Sequence, residues 1–323
     1  MANNKKRLIT KCDMDGLACG ILLKEMDLIN GVVFVHPKDV ESGKMVIGSG
    51  DITAGLPYKE SVHLAFDYYP GALSKGCRDN LIVDSSMPST SRVICNYYNQ
   101  TSKTGILKDL LLAVDKGFSA DISIDEILYP TSWILLSYLI DQRTGLERYG
   151  NFNATNAQLI ANLIQHGKEQ TIWEILNSPA VEERLNLYFS CMERCKDQLL
   201  RCSSVHYNLV VTDMRNEEIL YPGNRFLIYA LFPECNVSMH VVNDSAGNRT
   251  SFVVGKSVID RAYQKDIGKI LKSHGGGGHS NAGTCMSDRE SADELKDKLI
   301  DQLSYSTLEN IFNGYFNFYT GTY

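Results

Sequence analysis

Short apolar, β-branched runs alternate with amphipathic stretches over the first 120 residues of the chain. RLIT (7–10), VVFVHP (32–37), MVIGSGD (45–51), VHLAFD (62–67) and LIVD (81–84) have the length and composition of strands. Between and after them, LACGILLKEMDLI and the segments at 88–98 and 104–116 repeat apolar positions at three and four, the period of a helix. Strand, turn and helix in that order predict a doubly wound, mainly parallel α/β sheet, with ligands beyond the carboxyl ends of the strands. Residues 123–203 read as mostly helical and end in the long amphipathic run VEERLNLYFSCMERCKDQLLRC. Strand patterns then return in YNLVVTDM, RFLIYALF, VSMHVVND and TSFVVGKS, followed by helices near 264–273 and 288–303. The expected organisation is an α/β domain over 1–180, a helical connector over 181–203 and a smaller α/β domain over 204–323.

Composition narrows the class. A chain of 323 residues with 44% hydrophobic and 22% charged residues is expected to be globular. Its net charge of -6 argues against bulk attraction to long duplex nucleic acid, so an anionic substrate must be met by local cations or a metal. The basic start MANNKKRLIT lacks an apolar region behind it, and the apolar run at 133–140 is too short to span a bilayer. The nine cysteines form no CxxC pair. These features predict a cytoplasmic protein with reduced thiols and no membrane contact.

Two features carry candidate chemistry. The first is a series of aspartates at the ends of the expected strands. Asp13 and Asp15 lie in KCDMDG, Asp51 closes VIGSGD, Asp67 closes HLAFD, and Asp84 follows LIV, while Asp115 follows LKDLLLAV. Carboxylates gathered at one sheet edge repel one another unless a cation stabilises them, and hard divalent cations prefer such oxygen ligands. Asp84 is the least specific member, because DSSMPS also reads as a loop and helix cap. The second feature is GGGGHSNAG (275–283). Its glycines can turn several N–H groups toward one anion, with His279 and Asn281 as further donors and Arg261 and Lys256 nearby in sequence.

In order and spacing, the DxDG motif, Asp51, the FDYY stretch, Asp115 and GGGGHSNAG resemble the DHH phosphoesterase family with its associated C-terminal domain. The likeness runs over nearly the whole chain and is strongest for the short members that cleave oligonucleotides and dinucleotides. It implies a phosphodiesterase using two Mn²⁺ or Mg²⁺ ions held by Asp13, Asp15, Asp51, Asp67 and Asp115. It further implies catalytic roles for Asp67 and His279, and substrate binding by Gly276, Gly277, Gly278, His279, Asn281 and Arg261. The expected substrate is a short oligonucleotide or linear dinucleotide cut to mononucleotides, and a homodimer would suit the family.

The chain departs from the family pattern at three positions. Lys11 stands where many members carry a histidine, and Tyr68 and Tyr69 replace the two signature histidines. A neutral phenol is a weak metal ligand beside an imidazole, and an ammonium repels a divalent ion. Three outcomes are open: metals held with lower affinity by carboxylates and water, loss of one metal site with Lys11 supplying charge, or a nucleotide-binding relative without turnover. A phosphohydrolase for another small anion, such as polyphosphate, would use the same parts. His63, four residues before Asp67, is a candidate replacement ligand, although an ordinary core role is the favoured reading. The aromatic run TLENIFNGYFNFYTGTY (307–323) suits packing, base stacking or a dimer contact.

Overall fold

Five parallel strands build the first sheet: β1 (Lys6–Thr10), β2 (Ile29–Phe34), β3 (Asp51–Ala54), β4 (Leu64–Asp67) and β5 (Leu81–Val83), in the order β2-β1-β3-β4-β5. The computed structural model describes residues 5–69, 71, 78–99, 106–166, 169–244 and 246–305. The aromatic run at 307–323 lies outside them. Helix α1 (Met14–Glu25) leaves β1 and is buried from Met14 to Leu23, as expected of a helix enclosed on several sides. The remaining helices around this sheet begin with α2 (Pro37–Glu41), α3 (Thr90–Tyr97) and α4 (Ile106–Ser119). Next in the chain come α5 (Ile124–Leu128), which belongs to the second compact unit, and then α6 (Ser132–Ile140), α7 (Leu146–Tyr149), α8 (Asn156–His166), α9 (Ile172–Leu176) and α10 (Pro179–Cys202). Gly20 lets α1 approach α8 closely, since a Cβ there would meet the Ile164 side chain at 2.4 Å. The sheet face bearing Ile9, Ala65 and Leu81 packs with Val40, Ile47, Leu56, Tyr58 and Val62 into one apolar cluster.

Compact packing divides the chain into two units, residues 1–122 with 129–190 and residues 123–128 with 191–323. The division falls within the continuous helix α10, between Ser190 and Cys191. The second unit holds a mixed sheet built from β6 (Ser203–His206), β7 (Leu209–Asp213), β8 (Val237–Asn243), β9 (Arg249–Lys256), β10 (Gly277–His279) and β11 (Ala282–Asp288). Their order is β10-β11-β9-β8-β7-β6, with β7 and β8 parallel and the other pairs antiparallel. Helices α11 (Leu227–Leu231), α12 (Ile267–Lys272) and α13 (Ala292–Leu303) accompany it. Leu271 and Leu299 join Val211, Met239, Phe252 and Cys285 in its core. Among the described residues, no helix is long and apolar enough to cross a membrane.

Three expectations for the elements need correction. RFLIYALF forms α11, not a strand; a short apolar run buried at Leu227, Ile228 and Tyr229 satisfies either period, and packing decides. MVIGSGD is not a strand either, because β3 begins at Asp51, after a turn in which the Asp51 N–H donates to the Gly48 carbonyl at 3.0 Å. His63 precedes β4 and donates its backbone N–H to the Asp51 carbonyl at 3.0 Å, so it lies at the amino end of the sheet. Asp67 closes the same strand at its carboxyl end, about 13 Å further along at the ordinary rise per residue, and His63 cannot join it.

Candidate functional site

The carboxyl edge of the parallel sheet collects Lys11, Asp13, Asp15 and Asp67 through its strand-to-helix turns. Asp13 is the N-cap of α1 and accepts from the Gly16 N–H at 2.9 Å. Gly16 is required here, because a Cβ would stand 2.1 Å from the Lys11 carbonyl oxygen. Asp15 is buried and accepts from the backbone N–H groups of Thr90 (3.1 Å) and Ser91 (2.8 Å). It thereby stabilises the N-terminal end of α3, where unpaired N–H groups favour a negative charge. Burial, and after it the neighbouring Asp13, raise the Asp15 carboxyl above the usual carboxylate range.

Lys11 Nζ lies 3.2 Å from Asp13 Oδ2 and 5.3 Å from the centre of the Phe118 ring. Burial works against its ammonium, but Asp13 and Asp15 outweigh that and raise it above its ordinary value. Asp67 accepts from the Tyr69 N–H at 3.0 Å, and burial pushes its carboxyl up. Tyr68 stands edge-on to Phe118 with ring centres 5.8 Å apart. Burial and the carboxylates of Asp15, Asp67 and Asp13 raise the Tyr68 phenol, and Lys11 opposes them. A neutral phenol therefore borders this group of charges, while the Tyr69 ring is exposed.

Asp115, on α4, reaches the same neighbourhood through α3. Ser89 Oγ donates to Asp115 Oδ1 at 3.1 Å, and Arg92 donates to Oδ2 from Nε at 2.9 Å and also from Nη2. Arg92 was not expected in the site. Its only sequence signal is the STSR run after Pro88, which reads equally as an N-cap, and Ser89 is indeed the N-cap of α3. Asp84 is held locally, accepting from the Ser86 N–H at 3.0 Å and from its hydroxyl at 2.6 Å, in keeping with a loop role.

Asp51 is not at this edge. It opens β3 and pairs in register with Arg7, whereas Ala54, at the other end of the strand, pairs with Thr10 just before the Lys11–Gly16 turn. Its carboxylate accepts from Arg7 Nε at 2.8 Å and Nη2 at 3.1 Å, and from the Gly48 N–H at 2.8 Å. A metal ligand set that includes Asp51 with Asp13 and Asp67 is therefore excluded by the direction of the strand.

In the second unit GGGGHSNAG forms a hairpin, not the start of a helix. Gly277, Gly278 and His279 pair with Thr284, Gly283 and Ala282. The N–H groups of Gly275 and Gly276 are used by the Lys272 and Leu271 carbonyls at the end of α12, at 3.2 and 2.9 Å, so they are not offered to an anion. Close backbone approach explains the glycines. A Cβ on Gly276 would stand 2.3 Å from the Thr284 carbonyl oxygen, and one on Gly278 2.3 Å from that of Ala282. Gly268 of α12 packs directly on the Gly278 and His279 backbone, where a Cβ would come to 2.9 Å. Gly277, Gly278, His279 and Asn281 are exposed, and His279 Nδ1 accepts from the Asn281 N–H at 3.2 Å. That bond leaves Nε2 as the ring nitrogen that carries a proton. Arg261 is exposed and donates from Nε to the Val258 carbonyl at 3.3 Å.

No protein-family model and no curated protein matches the chain. Among solved structures it is similar to the pGpG-specific phosphodiesterase PggH from Vibrio cholerae, with 42% identity and a TM-score of 0.83 over 93% of this chain and 99% of that one. The chain belongs to the DHH phosphoesterase family. Structures of RecJ from Thermus thermophilus with Mn²⁺ (12% identity, TM-score 0.46, 92% of this chain and 52% of that one) and with Mg²⁺ (16%, 0.42, 92% and 49%) are more distant.

The donor set expected of a two-ion DHH centre does not fit the residues present. Asp51 is at the far end of its strand, Asp115 is engaged by Arg92, and Tyr68 and Tyr69 bring no imidazole. Lys11 adds a positive charge beside Asp13. Among the described residues, no group of three or more His, Cys, Asp or Glu side chains is placed to hold a metal ion.

Proposed function

We propose that this DHH-family chain is a phosphodiesterase that hydrolyses a linear dinucleotide of the pGpG type, or a comparably short oligonucleotide, to mononucleotides in the cytoplasm. The full-length likeness to PggH carries the reading. The candidate reacting groups lie at the carboxyl edge of the first sheet; within the second unit, Gly277, Gly278, His279 and Asn281 of the hairpin are the candidate phosphate contacts, with Arg261 beside them in sequence.

Hydrolysis of a phosphodiester forms a P–O bond to water, breaks the bond to the leaving ribose oxygen and spreads negative charge over the phosphoryl oxygens. Lys11 is a fixed positive charge for those oxygens. Asp67, with its carboxyl raised by burial, is suited to take the proton of the attacking water, because a raised pKa makes a carboxylate a stronger base near neutral pH. His279, with its proton on Nε2, is a donor for a terminal phosphate in this reading.

Incubation of the full chain with pGpG, with and without Mn²⁺, followed by chromatography for GMP, tests this. GMP release that is lost in Asp67→Ala is the expected result, and no release above that variant overturns it. A second reading is favoured by Lys11, Tyr68 and the Arg92–Asp115 pair: a relative that binds the nucleotide without cleaving it. It predicts pGpG binding by calorimetry in EDTA together with no GMP at any metal concentration.

A further inference from the structure

Gly55 directly follows β3 at the carboxyl edge, with a left-handed φ of +64°. A Cβ on it would stand 3.1 Å from Thr90 Oγ1, 3.2 Å from Lys11 Cε and 3.8 Å from Lys11 Nζ. The Lys11 side chain therefore occupies the space into which a side chain from the end of β3 would project. Thr90 is fully buried, and its Oγ1 has no hydrogen-bond partner among the described residues. A buried hydroxyl without a partner is uncommon and calls for a bound group to complete it. Lys11 Nζ and Thr90 Oγ1 thus border the same small space beside Gly55.

Charge leads to the same place. Ionised, Asp13, Asp15, Asp67 and Asp115 bring four negative charges, against two positive charges on Lys11 and Arg92. The remainder of two equals one divalent cation and falls short of two. Asp115 is already neutralised by Arg92, and Asp15 by geometry serves the end of α3. Asp13 and Asp67 remain, and one or two carboxylates with waters and a substrate phosphate are an ordinary setting for a single Mg²⁺.

We propose that Lys11 permanently holds the place of one of the two metal ions expected of the family. The site then takes no more than one divalent cation, and Lys11 Nζ with Thr90 Oγ1 binds a non-bridging oxygen of the substrate phosphate. The phosphate part of this inference rests on the dinucleotide reading above; the ion count does not.

Two measurements on the full chain test it. The first counts bound Mn²⁺ by electron paramagnetic resonance titration, where saturation at one ion or fewer per chain is expected. The second measures pGpG affinity by calorimetry in EDTA for Lys11→Met and Thr90→Val. Lys11→Met keeps the length of the stem and removes the charge; Thr90→Val keeps the shape and removes the hydroxyl, so one of the two is expected to fold even if the other does not. Thermal melts establish which variants are folded. A charge-assisted hydrogen bond corresponds to an affinity loss of about ten-fold or more for Lys11→Met, and a neutral one to about three-fold for Thr90→Val. Two Mn²⁺ ions per chain, or unchanged pGpG affinity in a folded variant, overturns the proposal. Absence of GMP release alongside a single ion and a Lys11-dependent affinity overturns only the assignment of activity.

Discussion

Arg7 and Asp51 face each other across β1 and β3 at the amino end of the parallel sheet, joined through both nitrogens of one guanidinium edge and both carboxylate oxygens. The Asp51 side chain is 6% exposed, so its remaining stabilisation comes from the Gly48 N–H and not from solvent. Removing the carboxylate leaves these donors without a partner. Asp51→Ala is expected to lower stability by about 1–3 kcal/mol while leaving Mn²⁺ affinity unchanged. Chemical denaturation and metal titration on the same preparation check the two halves. A large loss of metal binding in folded Asp51→Ala would return Asp51 to the ligand set.

The glycine hairpin makes a position-by-position prediction. Gly276→Ala and Gly278→Ala place a methyl group against carbonyl oxygens that cannot withdraw without breaking the β10–β11 pairing. Each is expected to lower stability by roughly 1–3 kcal/mol, the cost of overpacking. A Cβ on Gly277 meets nothing within 4 Å, so Gly277→Ala is expected to melt close to the wild-type temperature. Differential scanning calorimetry of the three variants separates them. Uniform tolerance would mean that the hairpin is looser than its geometry.

Asp67 gives the chain a pH dependence with a defined sign. Burial raises its carboxyl in the folded state above the value it has in the unfolded chain. The folded state therefore binds the proton more tightly, and stability falls as pH rises from the unfolded carboxylate value through the folded one. Asp15, raised by burial and by Asp13, contributes in the same direction. Denaturation curves collected from about pH 4 upward, near and above the ordinary Asp value, are expected to show this loss, and Asp67→Asn to flatten it. A slope unchanged in Asp67→Asn would assign the titration elsewhere.

Arg92 controls how available Asp115 is. Arg92→Met leaves the Asp115 carboxylate with Ser89 Oγ as its remaining partner among the described residues. The variant is expected to lose about 1–3 kcal/mol of stability and to bind Mn²⁺ more tightly than the wild type. Calorimetric titration reads the affinity. Weaker Mn²⁺ binding in the folded variant would contradict a competing role for the guanidinium.

Much of this architecture was readable from patterning. The strands at 7–10, 62–67 and 81–84 and the helices at 88–98 and 104–116 declared themselves by period, and they carry Asp13, Asp15, Asp67 and Asp115 to where they were expected. Asp51 was misplaced because VIGSGD is rich in β-branched residues up to the point where its glycines make a turn, so the strand starts where the pattern suggests it ends. α11 escaped because the seven apolar and aromatic residues after Arg225 satisfy both periods when they are buried. The Arg92–Asp115 pair spans 23 residues and two helices, and no local pattern marks a contact of that kind. The GGGG run was legible as a special backbone, but not its cause. Only the pairing of β10 with β11, and the packing of α12 on it, reveals which glycines are steric necessities.

The turn from Lys11 to Gly16 has a final consequence for what position 11 can present at the sheet edge. Its path is fixed by the Gly16 backbone lying against the Lys11 carbonyl and by the Gly16 N–H donating to Asp13 Oδ1, while the Lys11 side chain meets only the other oxygen of that carboxylate. Such a turn keeps its course whichever residue stands at position 11. Inheritance can exchange the group presented there in a single step, without rebuilding the scaffold that presents it.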